Sequence, residues 1–450
     1  MKKFFDAKSI AIVGVSDNPN KVGHVILRNI IDGSYNGKVY LVNRNGGYIL
    51  GRKVNKSLRT IKEVIDLVVI SIPAKQVLTV LHDCAKKKIR NVIIISAGFK
   101  EIGNTKLEDK IRDFMNTHKI KCIGVNCLGV LNSYNGLDTL FLPRYRLRRP
   151  RAGGISFISQ SGAVGSATLD LIGYEGYGVA KFISYGNATN IDETDLLDYL
   201  GHDKNTKVIC AYIEGVQNGK KFLTTVKKVA KKKPVIILKA GITTKGREAT
   251  ISHTGSIAGS EKVYGGVFKQ AGIIQVFSLR EMFNVAKIFD KGFKVRGNKL
   301  QVITDGGGFG ILAADAAEQA GLIMPDLSKK AKQILQKCLP EIAVISNPLD
   351  LVGDADTQRY SSAIISCLKE KQIDIILVIL LYQVPRLGTD AVDMIIDFQK
   401  QKIKPIIVVS PGGEFTQSLK RSLESADVPV YDFPDEAVDA IKRLVEFCNR

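Results

Sequence analysis

At 450 residues, 45% of them apolar, the chain has the length of about three globular domains and the side chains to fill their cores. No apolar run approaches the ~18 residues of a membrane helix, and Asp6 and Lys8 break any leader core, so no membrane contact and a cytoplasmic location are expected. The net charge of +21 invites a nucleic-acid reading, but the lysines are scattered and no aromatics interleave with them for base stacking; phosphorylated small molecules fit that field better.

The chain opens with a strand over 9–13, a turn over 14–23 that holds Gly14, Ser16, Pro19, Lys21 and Gly23, and a helix over 24–31. Strand, glycine-rich turn and helix make the phosphate-cradling start of a Rossmann-type unit. The turn is not G-x-G-x-x-G. The second strand, over 38–42, ends in Asn43-Arg44 without the acidic residue that binds a nicotinamide-cofactor ribose. Both departures argue against a nicotinamide dehydrogenase, and Lys21, joined by Arg44, offers charge to a phosphate instead.

Strands over 67–72, 92–96 and 121–125 follow, with a helix over 74–86. Ligands of doubly wound sheets bind at the carboxyl ends of the strands. A nucleotide-like ligand is therefore expected to contact Gly14, Ser16, Pro19, Lys21, Asn43, Ser71, Pro73, Ser96, Ala97, Gly98, Phe99, Asn126 and Cys127. Cys127 reads as a small buried apolar side chain rather than a nucleophile. Seven cysteines with no Cys-x-x-Cys pair suit a reducing compartment.

The Arg- and Pro-rich stretch 143–150 reads as a linker, after which the pattern restarts with a strand over 154–159 and a helix to about 172. Between them Ser159-Gln160-Ser161-Gly162-Ala163 presents successive amides and hydroxyls at a helix N-terminus, a phosphate nest. A strand over 180–184, the turn Gly186-Asn187, an acidic helix over 192–200 and a strand over 207–212 lead to Ile213-Glu214-Gly215. A helix over 221–232 and a strand over 234–239 then deliver the stretch from Thr250 to Ser260, which holds one of only five histidines, His253.

Small, hydroxylated and glycine residues surround His253 and leave little to bury, so a mobile loop entering a helix near Ile257 is expected. Gly255 and Ser256 would leave amides free for an anion at that helix start. A histidine among anion-binding amides points to phosphoryl transfer through phosphohistidine; a histidine that only caps or packs is the plainer alternative. Glu214 and His253 follow two strands of one expected sheet and could meet, the carboxylate fixing the imidazole tautomer; a surface turn glutamate is its alternative.

A third restart follows the linker 291–299: a strand over 300–304, the loop Asp305-Gly306-Gly307-Gly308-Phe309-Gly310, and a helix over 311–319. Three openings of one kind imply three α/β units rather than one long sheet. Asp350, Asp354 and Asp356 read as capping and turn carboxylates in preference to a Mg²⁺ site, so no metal site is assigned to this chain. Strands over 375–381, 405–410 and 428–431 complete this unit, which shows no clear catalytic set.

Taken together, Gly14 to Gly23, Ser96-Ala97-Gly98-Phe99, Asn126-Cys127-Leu128-Gly129, Ser159-Gln160-Ser161-Gly162-Ala163, Tyr212-Ile213-Glu214-Gly215 and Ser252-His253-Thr254-Gly255-Ser256 carry a resemblance over essentially the whole chain. The sequence resembles the α subunit of ADP-forming acyl-CoA synthetases, relatives of succinyl-CoA synthetase. Val125 is a departure, since the family usually has Pro before the residue matching Asn126. The resemblance implies an α/β chain of three Rossmann-like or flavodoxin-like parallel-sheet domains: a CoA-binding domain over 1–130 and two CoA-ligase domains over 150–290 and 298–450. It implies coenzyme A in the first, a phosphorylated His253 oriented by Glu214 in the second, and phosphate held by Ser159, Gln160, Ser161, Gly162, Gly255 and Ser256.

Three domains use up these residues, so an ATP-grasp β subunit holding ADP or ATP and Mg²⁺ is implied, in an α2β2 assembly. The implied reaction converts acyl-CoA, ADP and phosphate into acid, ATP and CoA. A CoA-dependent acyltransferase would need a further domain. A non-catalytic CoA-sensing subunit would be free to lose His253, Glu214 and Ser161, which are intact.

Overall fold

Runs of Ile, Val and Leu bounded by Gly, Ser or Pro become central parallel strands, covered on both faces and therefore apolar throughout. The computed structural model describes the backbone of residues 1–254 and 261–450 and the side chains of 1–249 and 261–450, and in these the strands form three sheets. The first comprises β1 (Ser9–Val13), β2 (Lys38–Val42), β3 (Tyr48–Ile49), β4 (Arg52–Asn55), β5 (Leu67–Ile70), β6 (Asn91–Ile94) and β7 (Lys121–Gly124). Their order is β3-β4-β2-β1-β5-β6-β7, parallel except for the β3–β4 hairpin at the edge. Helices α1 (Val22–Asp32), α2 (Ala74–Lys86) and α3 (Thr105–Thr117) connect them. Strand order reverses at β1, which pairs with both β2 and β5, so the turns after β1 and β5 flank a crevice.

The second sheet runs β14-β13-β12-β10-β11-β8-β9. Its parallel part is β10 (Arg151–Ser159), β11 (Gly178–Ser184), β12 (Val208–Ile213), β13 (Val235–Lys239) and β14 (Ile274–Val276), with β8 (Gly129–Asn132) antiparallel on β11 and β9 (Leu137–Asp138) antiparallel on β8. Against expected bounds of 1–130 and 150–290 for the first two domains, the second sheet already takes β8 and β9, from Gly129 to Asp138. Around it lie α4 (Gly162–Tyr174), α5 (Glu193–His202), α6 (Gly219–Ala230), α7 (Thr244–Thr254) and α8 (Glu261–Ala271), with α9 (Leu279–Asp290) following. Here the order reverses between β10 and β12, whose following loops carry Gln160 and Glu214. The first two sheets share one core, in which Phe4, Phe5, Ile12 and Ile123 pack with Ile158, Ile183 and Tyr185.

The third sheet has the order β16-β15-β17-β18-β19, all parallel: β15 (Leu300–Thr304), β16 (Leu349–Asp350), β17 (Ile375–Ile379), β18 (Ile406–Val409) and β19 (Val430–Tyr431). Its helices include α10 (Gly307–Gln319), α11 (Lys329–Cys338) and α12 (Thr357–Lys369). The three sheets gather into two compact units, Met1–Tyr174 with Gly178–Met282, and Glu175–Tyr177 with Phe283–Arg450.

The stretch holding His253 departs from the expected loop. Residues up to Thr254 belong to α7, whose start is fixed by Thr243: its Oγ1 accepts from the Gly246 amide at 3.1 Å and its carbonyl from the Arg247 amide at 2.9 Å. A side-chain cap of this kind starts a helix without any apolar stripe. Among the described residues, no helix is long and apolar enough to cross a membrane.

Candidate active site

A cavity of about 920 Å³ lies within the first unit, walled by the carboxyl-end loops of the first two sheets. From the first sheet it is lined by Gly14, Ser16, Lys21, Asn43, Ser71, Pro73, Ser96, Ala97, Asn126 and Cys127; from the second, by Gln160, Ser161, Gly162 and Glu214. Loops as far apart in the chain as those of Gly14 and Glu214 thus face one space, as the strand-order rule requires.

The polar side chains of the first set largely build the walls. The Asn43 amide donates to the Val15 carbonyl at 2.6 Å, the Ser71 hydroxyl to the Val13 carbonyl at 3.2 Å, and the Ser96 hydroxyl to the Ile72 carbonyl at 2.5 Å. Close approach of α1 to the first turn depends on Gly23, where an added Cβ would stand 2.1 Å from the Gly14 carbonyl oxygen. Burial pushes the Cys127 thiol up to about 12, so it is a packed apolar group and not a nucleophile at neutral pH.

Four expected contacts fall outside the cavity lining. Pro19 is exposed on the first turn. Phe99 is fully buried in the core of the first sheet. Gly98, at φ 109°, turns the chain so that its amide reaches Glu101. Ser159 is fully buried and its hydroxyl donates to the Ser161 carbonyl at 2.6 Å. It braces the turn of Gln160 to Gly162 from behind.

Gln160 lines the cavity, but its side-chain oxygen is engaged by the protein. Its Oε1 accepts from the Glu214 amide at 2.8 Å and the Gly215 amide at 3.2 Å, joining the nest after β10 to the turn after β12. At the nest itself Ser161 Oγ accepts from the Val164 amide at 3.3 Å, and α4 begins at Gly162. The helix N-terminus therefore aims amides and a positive dipole end into the cavity.

Sequence reasoning missed a polar clamp between the two sheets. Glu101 accepts from the Gly98 amide at 2.5 Å, the Phe99 amide at 3.1 Å and Asn187 Nδ2 at 2.7 Å. Burial pulls its carboxyl upward, but these hydrogen bonds together hold it below the usual carboxylate range. Asn187 also donates to Glu108 at 2.9 Å, and its Oδ1 accepts from Asn126 at 3.2 Å. Partners separated by about eighty positions leave no local pattern, so nothing in the sequence flagged them. Phe141 and Leu142, which precede the expected linker 143–150 and carried no expectation, also line the cavity.

His253 lies on α7, which packs against the 3₁₀ turn Lys100–Ile102; Lys100 and Glu101 of that turn line the cavity. The His253 side chain lies outside the described residues, as do Gly255 and Ser256, and so does the expected pairing of His253 with Glu214. In the third domain Asp350 accepts from the Val352 amide, Asp354 pairs with Arg359 and Arg386, and Asp356 caps α12. Those three carboxylates take part in turns, a helix cap and ion pairs.

The fold and cavity define a chain of the CoA-ligase class. Residues 8–133 match the family model for a CoA binding domain, 152–289 that for a succinyl-CoA ligase like flavodoxin domain, and 300–422 that for a ligase-CoA domain. The acetate–CoA ligase (ADP-forming) I α subunit of Pyrococcus furiosus is 35% identical over 455 residues, covering 99% of this chain and 97% of that protein. The acetate–CoA ligase (ADP-forming) of Methanocaldococcus jannaschii is 38% identical over 444 residues; the match covers 98% of this chain but 62% of that protein's length. Among solved structures, the dinucleotide-forming acetyl-coenzyme A synthetase 1 of Ca. Korarchaeum cryptofilum, in complex with phosphate and ADP, superposes with a TM-score of 0.93 at 32% identity, covering 100% of this chain and 97% of that one. The chain belongs to the family of ADP-forming acetate–CoA ligase α subunits.

Proposed function

We propose that this chain is the α subunit of an ADP-forming acid–CoA ligase that turns acyl-CoA, ADP and phosphate into acid, ATP and CoA, with acetyl-CoA the first substrate to try. The observation that carries the reading is the single cavity in which the CoA-type loops of the first sheet and the phosphate nest of the second face each other, beside the turn that α7 packs against.

In this reading CoA lies along the loops of Gly14, Lys21, Asn43, Ser71 and Pro73, with its thioester toward Asn126 and the nest. Phosphate held at Ser161 and Gly162 attacks the thioester carbonyl; the C–O bond forms, the C–S bond breaks, and CoA leaves as thiolate. A nitrogen of His253 then attacks phosphorus of the acyl phosphate and releases the carboxylate. Positioning and charge supply most of the catalysis in such transfers, which suits a helix N-terminus and backbone amides better than a general base. Glu214 orients His253, and Gly255 and Ser256 complete the phosphate cradle.

Phosphohistidine finally passes its phosphoryl group to ADP. We assign ADP and its Mg²⁺ to an ATP-grasp β subunit in an α2β2 complex, and the complex to the cytoplasm. Mixing the chain with a candidate ATP-grasp chain, acetyl-CoA, ADP and phosphate should yield ATP and free CoA in equal amounts. Tight CoA binding with no ATP formed would favour a CoA-sensing subunit.

A further inference from the structure

We propose that Lys239 is a positioning residue for phosphoryl transfer, pinning both the turn that carries Glu214 and the two ends of the excursion that carries His253. This inference rests on the phosphohistidine reading above.

Lys239 is the last residue of β13 and is 4% exposed. A lysine at that depth is uncommon, because a desolvated ammonium is costly unless its protons find acceptors. Its Nζ donates to the Glu214 carbonyl at 2.8 Å and to the Ala240 carbonyl, and lies 4.7 Å from the centroid of the Tyr264 ring. Each partner belongs to a different part of the proposed machinery. Glu214 sits on the cavity wall, Ala240 is where the chain leaves the sheet toward α7, and Tyr264 stands on α8, where it returns.

One ammonium therefore closes the base of the segment 240–264 and ties it to the neighbouring strand end. The Ala240 amide, bonded to the Ile213 carbonyl at 2.9 Å, makes a second tie between the same strand ends. Gln160 holds the Glu214 amide from the opposite side, so the Glu214 peptide is fixed by side chains on both flanks. A neutral apolar residue would pack in the same space, yet would leave two carbonyls without their donor. Burial lowers the Lys239 pKa to about 8, while Glu214 draws it back up; the group keeps its charge at neutral pH.

The test compares the full chain with Lys239→Met and Lys239→Gln, each first checked for a cooperative melt. Acetyl phosphate is the phosphoryl donor; phosphate appearing at His253 is timed by mass spectrometry, and the Kd for CoA is measured by calorimetry. The expected result is a tenfold or greater slowing for Met and a smaller slowing for Gln, which retains an N–H donor, with CoA Kd within twofold of wild type in both. Should Lys239→Met fail to fold, Lys239→Gln carries the test alone. Wild-type rates in the variants, or CoA affinity falling in step with rate, would overturn the role of Lys239. A wild-type chain that takes no phosphate at residue 253 would instead overturn the phosphohistidine reading, and this inference with it.

Discussion

Gln160 shows how much one side-chain oxygen can organise. By accepting from the amides of both Glu214 and Gly215 it fixes the turn that presents Glu214 to the cavity. Gln160→Leu keeps the volume and strands two amide donors, at a cost of about 1–3 kcal/mol. A lowered melting temperature with at least a tenfold fall in turnover is the expected outcome, with CoA affinity changed less. Glu193 makes a pH-dependent contribution at the same scale. It is 1% exposed, its Oε1 has no hydrogen-bond partner, and burial, with Asp192 adding repulsion, raises its pKa to about 7. The folded chain thus holds a proton that the unfolded chain releases near the ordinary glutamate value. Stability from this group falls as pH rises through roughly 4.5 to 7 and is level above. Glu193→Gln should therefore gain on wild type across that window, by up to about 3 kcal/mol. Thermal melts at pH 5 and pH 7.5 decide it: an unchanged gap between variant and wild type would contradict the assignment.

Elements were legible where their chemistry is local. The run Ser9-Ile10-Ala11-Ile12-Val13 is apolar throughout and became β1 with the expected bounds, and α2 began after Pro73 as its sequence indicates. Helix α7 was not legible: with Gly246, three threonines and few apolar residues over Thr244–Thr254, it has no stripe to reveal it, and its start depends on one Thr243 hydroxyl. Strand β8 was hidden because it pairs antiparallel with β11, some fifty residues away, and the two-residue β9 only extends it. The turn after β10 was read correctly as a helix N-terminus, but the hydrogen bonds that occupy Ser159 and Gln160 could not be seen before their partners were placed. At this scale the contact between α1 and the first turn is directly testable. Gly23→Ala would put a methyl 2.1 Å from the Gly14 carbonyl, so α1 must withdraw. CoA affinity should fall at least tenfold by calorimetry. Gly219→Ala, at a helical position with nothing within 4 Å, should leave it unchanged.

Across the molecule, three restarts of strand, glycine- or serine-rich loop and helix gave three sheets, yet the first two merge into one unit around a common core. That merger creates the cavity, because each sheet supplies only one wall. The Asn187 bridge to Glu101 and Glu108 fastens the walls to each other. Asn187→Ala should leave both carboxylates short of a buried donor, lower the melting temperature and weaken CoA binding severalfold; a variant that melts lower with unchanged CoA affinity would reduce the bridge to a purely structural part.

Transfer of phosphate to this chain is the step on which the proposed chemistry depends. Purified protein, incubated with acetyl phosphate and CoA in the presence of a candidate ATP-grasp chain, should acquire an acid-labile, base-stable phosphate that maps to His253 and disappears in His253→Ala. No phosphate on the chain under those conditions, or phosphate that persists in His253→Ala, would contradict the proposed mechanism.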